Sequence, residues 1–319
     1  MVEIKGFSES IGVVLDLEST ASQFLGLSGW SEVCSGSSDP ALLAAWGLPA
    51  GACGREILLR PEGEQRGGLR LVELAGAGTQ RAIRSNPQVW DTGGYLDLNI
   101  RVEDMESRRE DFYRAGWRGT CDPVTWQFGD KTVCEWLTLG PDGLALAIIE
   151  RLDPPLPPGA IPGGFGPIFN STQTVADMAQ SLDFYERVLG FTTFVHIRQP
   201  LMSEPSENVL GIPHNIIAES DVEIAILSPN GEMDGSIELI QMHGLKGRDF
   251  RDRARPPNLG LAALRFPVTD IAALHEHLVQ AGVNIAFDPI EVDIAPGGRC
   301  QLMAAQAPEG AWLEFYQVD

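Results

Sequence analysis

Residues 95–102, Tyr-Leu-Asp-Leu-Asn-Ile-Arg-Val, alternate apolar and polar side chains, and residues 261–268, Leu-Ala-Ala-Leu-Arg-Phe-Pro-Val, form a nearly unbroken apolar run. Both patterns predict strands, the first with one face polar and the second buried on both faces. An aspartate follows each, Asp104 or Asp270, and apolar residues then return at helical spacing. The clearest case follows Asp177, where Met178, Leu182, Tyr185 and Leu189 fall on one helical stripe. An Asp at that boundary predicts a helix N-cap, and a Gly twelve or thirteen residues on (Gly29, Gly116, Gly190, Gly282) predicts its end. Three further strand-like stretches complete each unit, as in 282–289, 300–308 and 311–318, separated by Pro and Gly.

The pattern occurs four times. Asp16 to Gly29 and Asp177 to Gly190 span thirteen residues, whereas Asp104 to Gly116 and Asp270 to Gly282 span twelve, so the units alternate long, short, long, short. Asp16 is offset from Asp177 by 161 residues and Asp104 from Asp270 by 166, as a tandem duplication of a two-unit block requires. The expected fold is therefore α+β, with four βαβββ modules in tandem.

The stretch Thr174 to Phe194, the Leu210-Gly211-Ile212-Pro213 loop, the 236–241 strand and the closing 307–317 segment resemble the vicinal oxygen chelate superfamily of glyoxalases, epimerases, extradiol dioxygenases and bleomycin-resistance proteins. The resemblance covers nearly the whole chain. It implies modules paired into two half-open eight-stranded β-cups with flanking helices, commonly around a divalent metal. The duplication suggests pairing of unit 1 with 2 and 3 with 4: a domain at 1–151, a Pro/Gly linker at 152–166 and a second domain at 167–319.

Composition narrows the function classes. With 44 acidic and 23 basic side chains the net charge is −21, and no basic cluster offers a footprint for phosphate, so nucleic acid is excluded as an expected partner. No apolar run approaches the roughly 20 residues of a membrane span. Five cysteines without a CxxC pair suit a reduced, cytoplasmic protein. The expected partner is a small-molecule substrate, with a homodimer allowed.

Strand parity separates helix-packing from cup-lining positions. In 95–102, Leu98, Ile100 and Val102 should meet the helices, leaving Asp97, Asn99 and Arg101 for the cup; in 261–268, Ala263 and Arg265 face inward. Seven residues before each marker Asp stand Glu9, Asp97, Asn170 and Ala263, where the resemblance places a first-strand metal ligand, usually His or Gln. The last-strand position falls on Glu73, Glu238 and Glu314, with Ala147 in unit 2. The resemblance thus implies a metal set Asn170, Glu238 and Glu314, with Glu9, Glu73 and Asp97 as a reserve site. Such oxygen donors suit Mg²⁺, Mn²⁺ or Ca²⁺, or the cup holds no metal. A solvated strand carboxylate is the ordinary alternative for Glu73 and Glu238.

Three readings follow. The first is a glyoxalase- or epimerase-like lyase or isomerase working by carboxylate-mediated proton transfer on a small carbonyl or aromatic molecule, with Glu314, Glu238 and Arg265 as catalytic residues. The second is a metal-free binding protein of the bleomycin-resistance type. The third, an extradiol-type dioxygenase, is disfavoured because no His occupies a ligand position.

Overall fold

The computed structural model describes residues 2–200, 208–217 and 220–318. Unit 1 comprises β1 (Glu9–Val14), α1 (Leu17–Ser28), β2 (Ser31–Ser37), a short α2 (Pro40–Ala45), β3 (Cys53–Arg60) and β4 (Gly68–Ala75). Unit 2 has β5 (Asp97–Val102), α3 (Met105–Arg114), β6 (Arg118–Gly119), β7 (Val124–Phe128), β8 (Lys131–Leu139) and β9 (Ala145–Asp153). Here β6 and β7 pair with different stretches of β8, as one second strand interrupted in the middle. Unit 3 has β10 (Phe165–Thr174), α4 (Met178–Leu182) running into a π-helical turn (Asp183–Val188), β11 (Thr192–Pro200), α5 (His214–Ile217), β12 (Asp221–Ser228) and β13 (Ser236–His243). Unit 4 has β14 (Gly260–Pro267), α6 (Ile271–Gln280), β15 (Asn284–Ile294), β16 (Gly298–Gln306) and β17 (Trp312–Val318).

All four marker aspartates cap their helices. The side chains of Asp16, Asp104, Asp177 and Asp270 accept from the backbone N–H of Ser19, Ser107, Gln180 and Ala273. A second cap recurs from the last strand of each unit. The side chains of Glu73, Glu150, Gln241 and Gln317 accept from the first helical N–H of Leu17, Met105, Met178 and Ile271 at 2.8–3.0 Å. Each helix start is thus tied both to its own loop and to the strand beneath it.

The strands form two curled sheets, with pairing that differs from the expected one. One sheet runs β15-β16-β17-β14-β1-β4-β3-β2 and the other β11-β12-β13-β10-β5-β9-β8-β6. Unit 1 therefore pairs with unit 4, and unit 2 with unit 3, through the antiparallel seams β1–β14 and β5–β10. The connections explain this. Segment 154–164 is short and returns the chain from β9 to β10 in the same sheet. The longer segments 76–96 and 244–259 cross between sheets side by side, joined by the bridges Ala82↔Leu259 and Thr92↔Asp249.

The main core lies between the helices and the helix-facing sides of both sheets, where Leu98, Ile100, Val102, Leu264 and Phe266 meet residues such as Phe24, Phe112, Tyr185 and Leu278. The other faces curve into two cups, each lined by its own smaller apolar cluster.

Candidate active site

The two cups differ in what occupies them. In the cup of units 1 and 4, two buried arginines meet three buried carboxylates. Arg70 donates to both oxygens of Glu9 at 3.0 Å, to Glu56 Oε1 at 2.5 Å and to the Ala295 carbonyl at 2.6 Å. Arg265 donates to Glu314 Oε2 at 2.9 and 2.7 Å and to Glu9 Oε1 at 2.5 Å. Trp46, just after α2, donates Nε1 to the other Glu314 oxygen at 2.9 Å, and Ser38 donates to Glu56. Burial acts to raise the Glu9 pKa, but the charges and hydrogen bonds of Arg70 and Arg265 outweigh it and hold the carboxyl below its ordinary range. Glu314 is fully buried, so ion pairs fill the floor of this cup, leaving a cavity of about 280 Å³ against Arg70 and Glu56.

These guanidinium groups stand where a metal would have to sit. Glu9 and Glu314 spend their oxygens on Arg70 and Arg265, and Arg70 occupies the last-strand position of unit 1. The register fixes that equivalence, since Ile11 pairs with Arg70 on β1–β4 as Arg265 pairs with Glu314 on β14–β17. Glu73, expected in the cup, lies three residues further on the opposite face, where it binds Arg55 and caps α1. The physical reason is the period of the strand: an odd shift in register moves a side chain to the other face.

The cup of units 2 and 3 is open. It encloses a cavity of about 340 Å³ walled mainly by apolar side chains, among them Val133, Leu137, Ile224 and Ile240, with Asp97, Glu135 and Glu238 facing in. Asp97 on β5 and Glu238 on β13 flank Thr172 on β10, which pairs with both. With one strand between them, their Cα atoms are roughly 10 Å apart, a gap that a small molecule can bridge. Asn99 donates to Asn170 and Thr172 at 2.9 Å, and Asn170 donates to Ser236 at 2.7 Å, forming the polar floor. Trp126 donates Nε1 to Glu135 Oε2 at 2.9 Å. Among the described residues, none donates a hydrogen bond to Glu238.

Burial dominates the electrostatics here. It pushes the Asp97 carboxyl up to about 6, with Thr172 hydrogen bonds and the Arg84 charge partly offsetting it. It pushes Glu135 up to about 7, aided by the Asp97 charge and opposed by the Trp126 bond. Glu238 is raised well above its ordinary value by burial and then by the charges of Glu135 and Asp97. Among the described residues three cations line this cavity: Arg101 pairs with Asp234 and stacks over Phe169, Lys131 pairs with Asp130, and Arg151 forms no ion pair with the inward carboxyls.

The residues singled out from the sequence are thus dispersed. Arg265 and Glu314 form one ion pair, but Glu238 belongs to the other cup, so the expected catalytic trio is not assembled. The expected metal set Asn170, Glu238 and Glu314 is likewise divided between the sheets. The reserve set separates into Glu9 in the closed cup, Glu73 on a back face and Asp97 in the open cup. In the open cup the first- and last-strand positions are Asp97, Ala147, Asn170 and Glu238, with the Asn170 amide already engaged on both atoms. Among the described residues no three His, Cys, Asp or Glu side chains converge as a metal donor set, so neither cup fits the oxygen-ligated metal expected from the sequence. His243 points away from the cup, as its parity requires, and shares Glu223 with His196 on the outer face. Glu135 and Arg70 were not singled out from the sequence; the signal for each was a charged residue at an inward strand parity.

Residues 168–315 match the family model described as Glyoxalase/Bleomycin resistance protein/Dioxygenase superfamily. No curated protein matches the sequence. Among solved structures, glyoxalase I from Zea mays superposes with a TM-score of 0.61 at 15% identity, covering 99% of this chain and 93% of that one. A putative dioxygenase from Bacillus subtilis superposes at 0.59 and 11% identity, covering 100% of this chain and 86% of that one. Residues 168–315 thus carry the signature of the glyoxalase/bleomycin resistance/dioxygenase superfamily, and the whole chain shares with these structures a fold of four modules in two cups. At these identities the structural likeness shows the fold alone.

Proposed function

We propose that the protein is a proton-transfer enzyme of the lyase or isomerase kind, acting on a small carbonyl compound held in the cup of units 2 and 3. The observation that carries this is a set of three carboxyl groups facing an apolar cavity, each raised above its ordinary pKa and none paired with a cation inside it. Carboxyls tuned apart by their surroundings divide into acid and base near neutrality. Asp97, at about 6, is mainly ionised at neutral pH and serves as the base. Glu238, raised well above its ordinary range by burial and without a hydrogen-bond donor among the described residues, is assigned the role of acid.

A ligand lying between β5 and β13 presents its acidic carbon to Asp97 and its carbonyl oxygen to Glu238. Asp97 takes the proton from carbon while the C–H electron pair forms the enol double bond, and Glu238 gives its proton to the oxygen. As the enol O–H returns its proton to Glu238 and the carbonyl re-forms, protonation of carbon on the other face or at a neighbouring carbon completes an isomerisation, whereas departure of a β-substituent with its bonding electron pair completes an elimination. The apolar walls exclude water and so preserve the raised pKa values.

The test is deuterium uptake from D₂O beside the carbonyl in a panel of aryl ketones and aldehydes, followed by NMR. Wild-type protein should accelerate exchange of a compound that binds, and Asp97→Asn should reduce the rate roughly 10²–10⁴-fold. Binding without accelerated exchange would instead support sequestration, the second reading, which the apolar lining favours.

A further inference from the structure

We infer that the open cup recognises an organic cation, with an ammonium subsite built by Glu135, Trp126 and Phe128 on the β7–β8 hairpin. This rests on reading that cup as the ligand site and adds the charge class of the ligand. The three side chains form one wall. Trp126 and Phe128 stand edge to face with ring centroids 5.7 Å apart, and both line the cavity. Glu135 lies beside them, held in place by the Trp126 indole N–H at 2.9 Å, which leaves its other oxygen without a donor among the described residues.

Aromatic faces beside a carboxylate attract a cation by quadrupole and charge together, and the attraction strengthens where water is excluded. The same cavity already shows this preference, since the Arg101 guanidinium sits 3.9 Å from the centre of the Phe169 ring. The charged groups around Glu135 are the deeper acids Asp97 and Glu238 and the rim cations Arg101, Lys131 and Arg151. Arg101 and Lys131 are about a third exposed and already paired with Asp234 and Asp130, and Arg151 contributes to the charge around Asp130. Among the described residues none of the inward acids has a cation within ion-pairing distance, and Asp97 and Glu135 are ionised at about pH 8, so the interior carries negative charge. A ligand that brings one positive charge relieves it; an anionic ligand aggravates it.

Isothermal titration with matched aryl probes tests the charge class separately from the site. Phenethylamine, phenethyl alcohol and phenylacetate share a ring and linker and differ in charge. At about pH 8, where Glu135 is ionised, the amine should bind at least about tenfold more tightly than the alcohol, and phenylacetate most weakly. Glu135→Gln, which keeps an acceptor for the Trp126 N–H, should erase the amine preference while preserving alcohol binding. Alcohol binding without an amine preference would overturn the ammonium subsite and leave the cup reading intact, as would an amine preference that survives Glu135→Gln. Failure of all three probes to bind would overturn both.

Discussion

Asp97 and Glu314 are equally deep carboxyl groups with opposite surroundings. Glu314 faces a guanidinium and an indole N–H, whereas Asp97 faces an apolar cavity with neutral hydrogen-bond partners. At a solvated strand position Glu314→Gln would leave the melting temperature near wild type. Here it uncouples a buried ion pair and leaves Arg265 undercompensated, so a loss of about 3–5 kcal/mol is expected in denaturant unfolding. The open cup should behave in the reverse way. Asp97 and Glu135 have folded pKa values raised to about 6 and about 7. Raised carboxyls stabilise the fold relative to higher pH while protonated in both states, and that advantage is lost as pH climbs through the folded values. The window therefore runs from about pH 4 to about pH 7. Glu135→Gln should melt with wild type at about pH 4 and above it at about pH 8. Equal melting at the higher pH would show that Glu135 ionises without penalty.

At the scale of elements, the Asp-to-Gly spacing made every strand–helix unit legible, because capping and helix termination are local chemistry written within a few residues. Parity then placed Asp97, Asn99, Arg101 and Arg265 on the inward faces. Register was not legible where two glutamates competed. In unit 1 Glu73 sits in a Leu-Val-Glu-Leu context like that of Glu238 and Glu314, yet it is equivalent to Glu150, Gln241 and Gln317, the strand residues that cap the helices. Only the pairing of β4 with β1 distinguishes a cap from a cup position three residues away. Gln241→Ala should remove the cap on α4 and reduce stability by about 1 kcal/mol, read as a lower denaturant midpoint. An unchanged midpoint would mean that the Asp177 cap suffices alone.

At the scale of the molecule, four similar units carry no local mark of which pairs with which. The information lies in connection length: the short return at 154–164 keeps units 2 and 3 in one sheet, and the crossing segments carry units 1 and 4 to the other. Each half of the sequence thus supplies one half of each cup. A fragment of residues 167–319 would expose the seam edges of both β10 and β14, and it should aggregate or dimerise rather than fold as a monomer; a monomeric, cooperatively unfolding fragment by sedimentation and thermal melting would contradict this. The division of labour between a cup whose floor is filled by ion pairs and a cup left open is the central claim. Its most direct test measures deuterium exchange and melting together in Glu238→Gln and Glu314→Gln. Glu238→Gln is expected to melt at or above wild type while exchange falls roughly 10²–10⁴-fold, and Glu314→Gln to melt lower while its folded fraction exchanges at nearly the wild-type rate. Full exchange in Glu238→Gln, with exchange abolished in folded Glu314→Gln, would place the chemistry in the other cup.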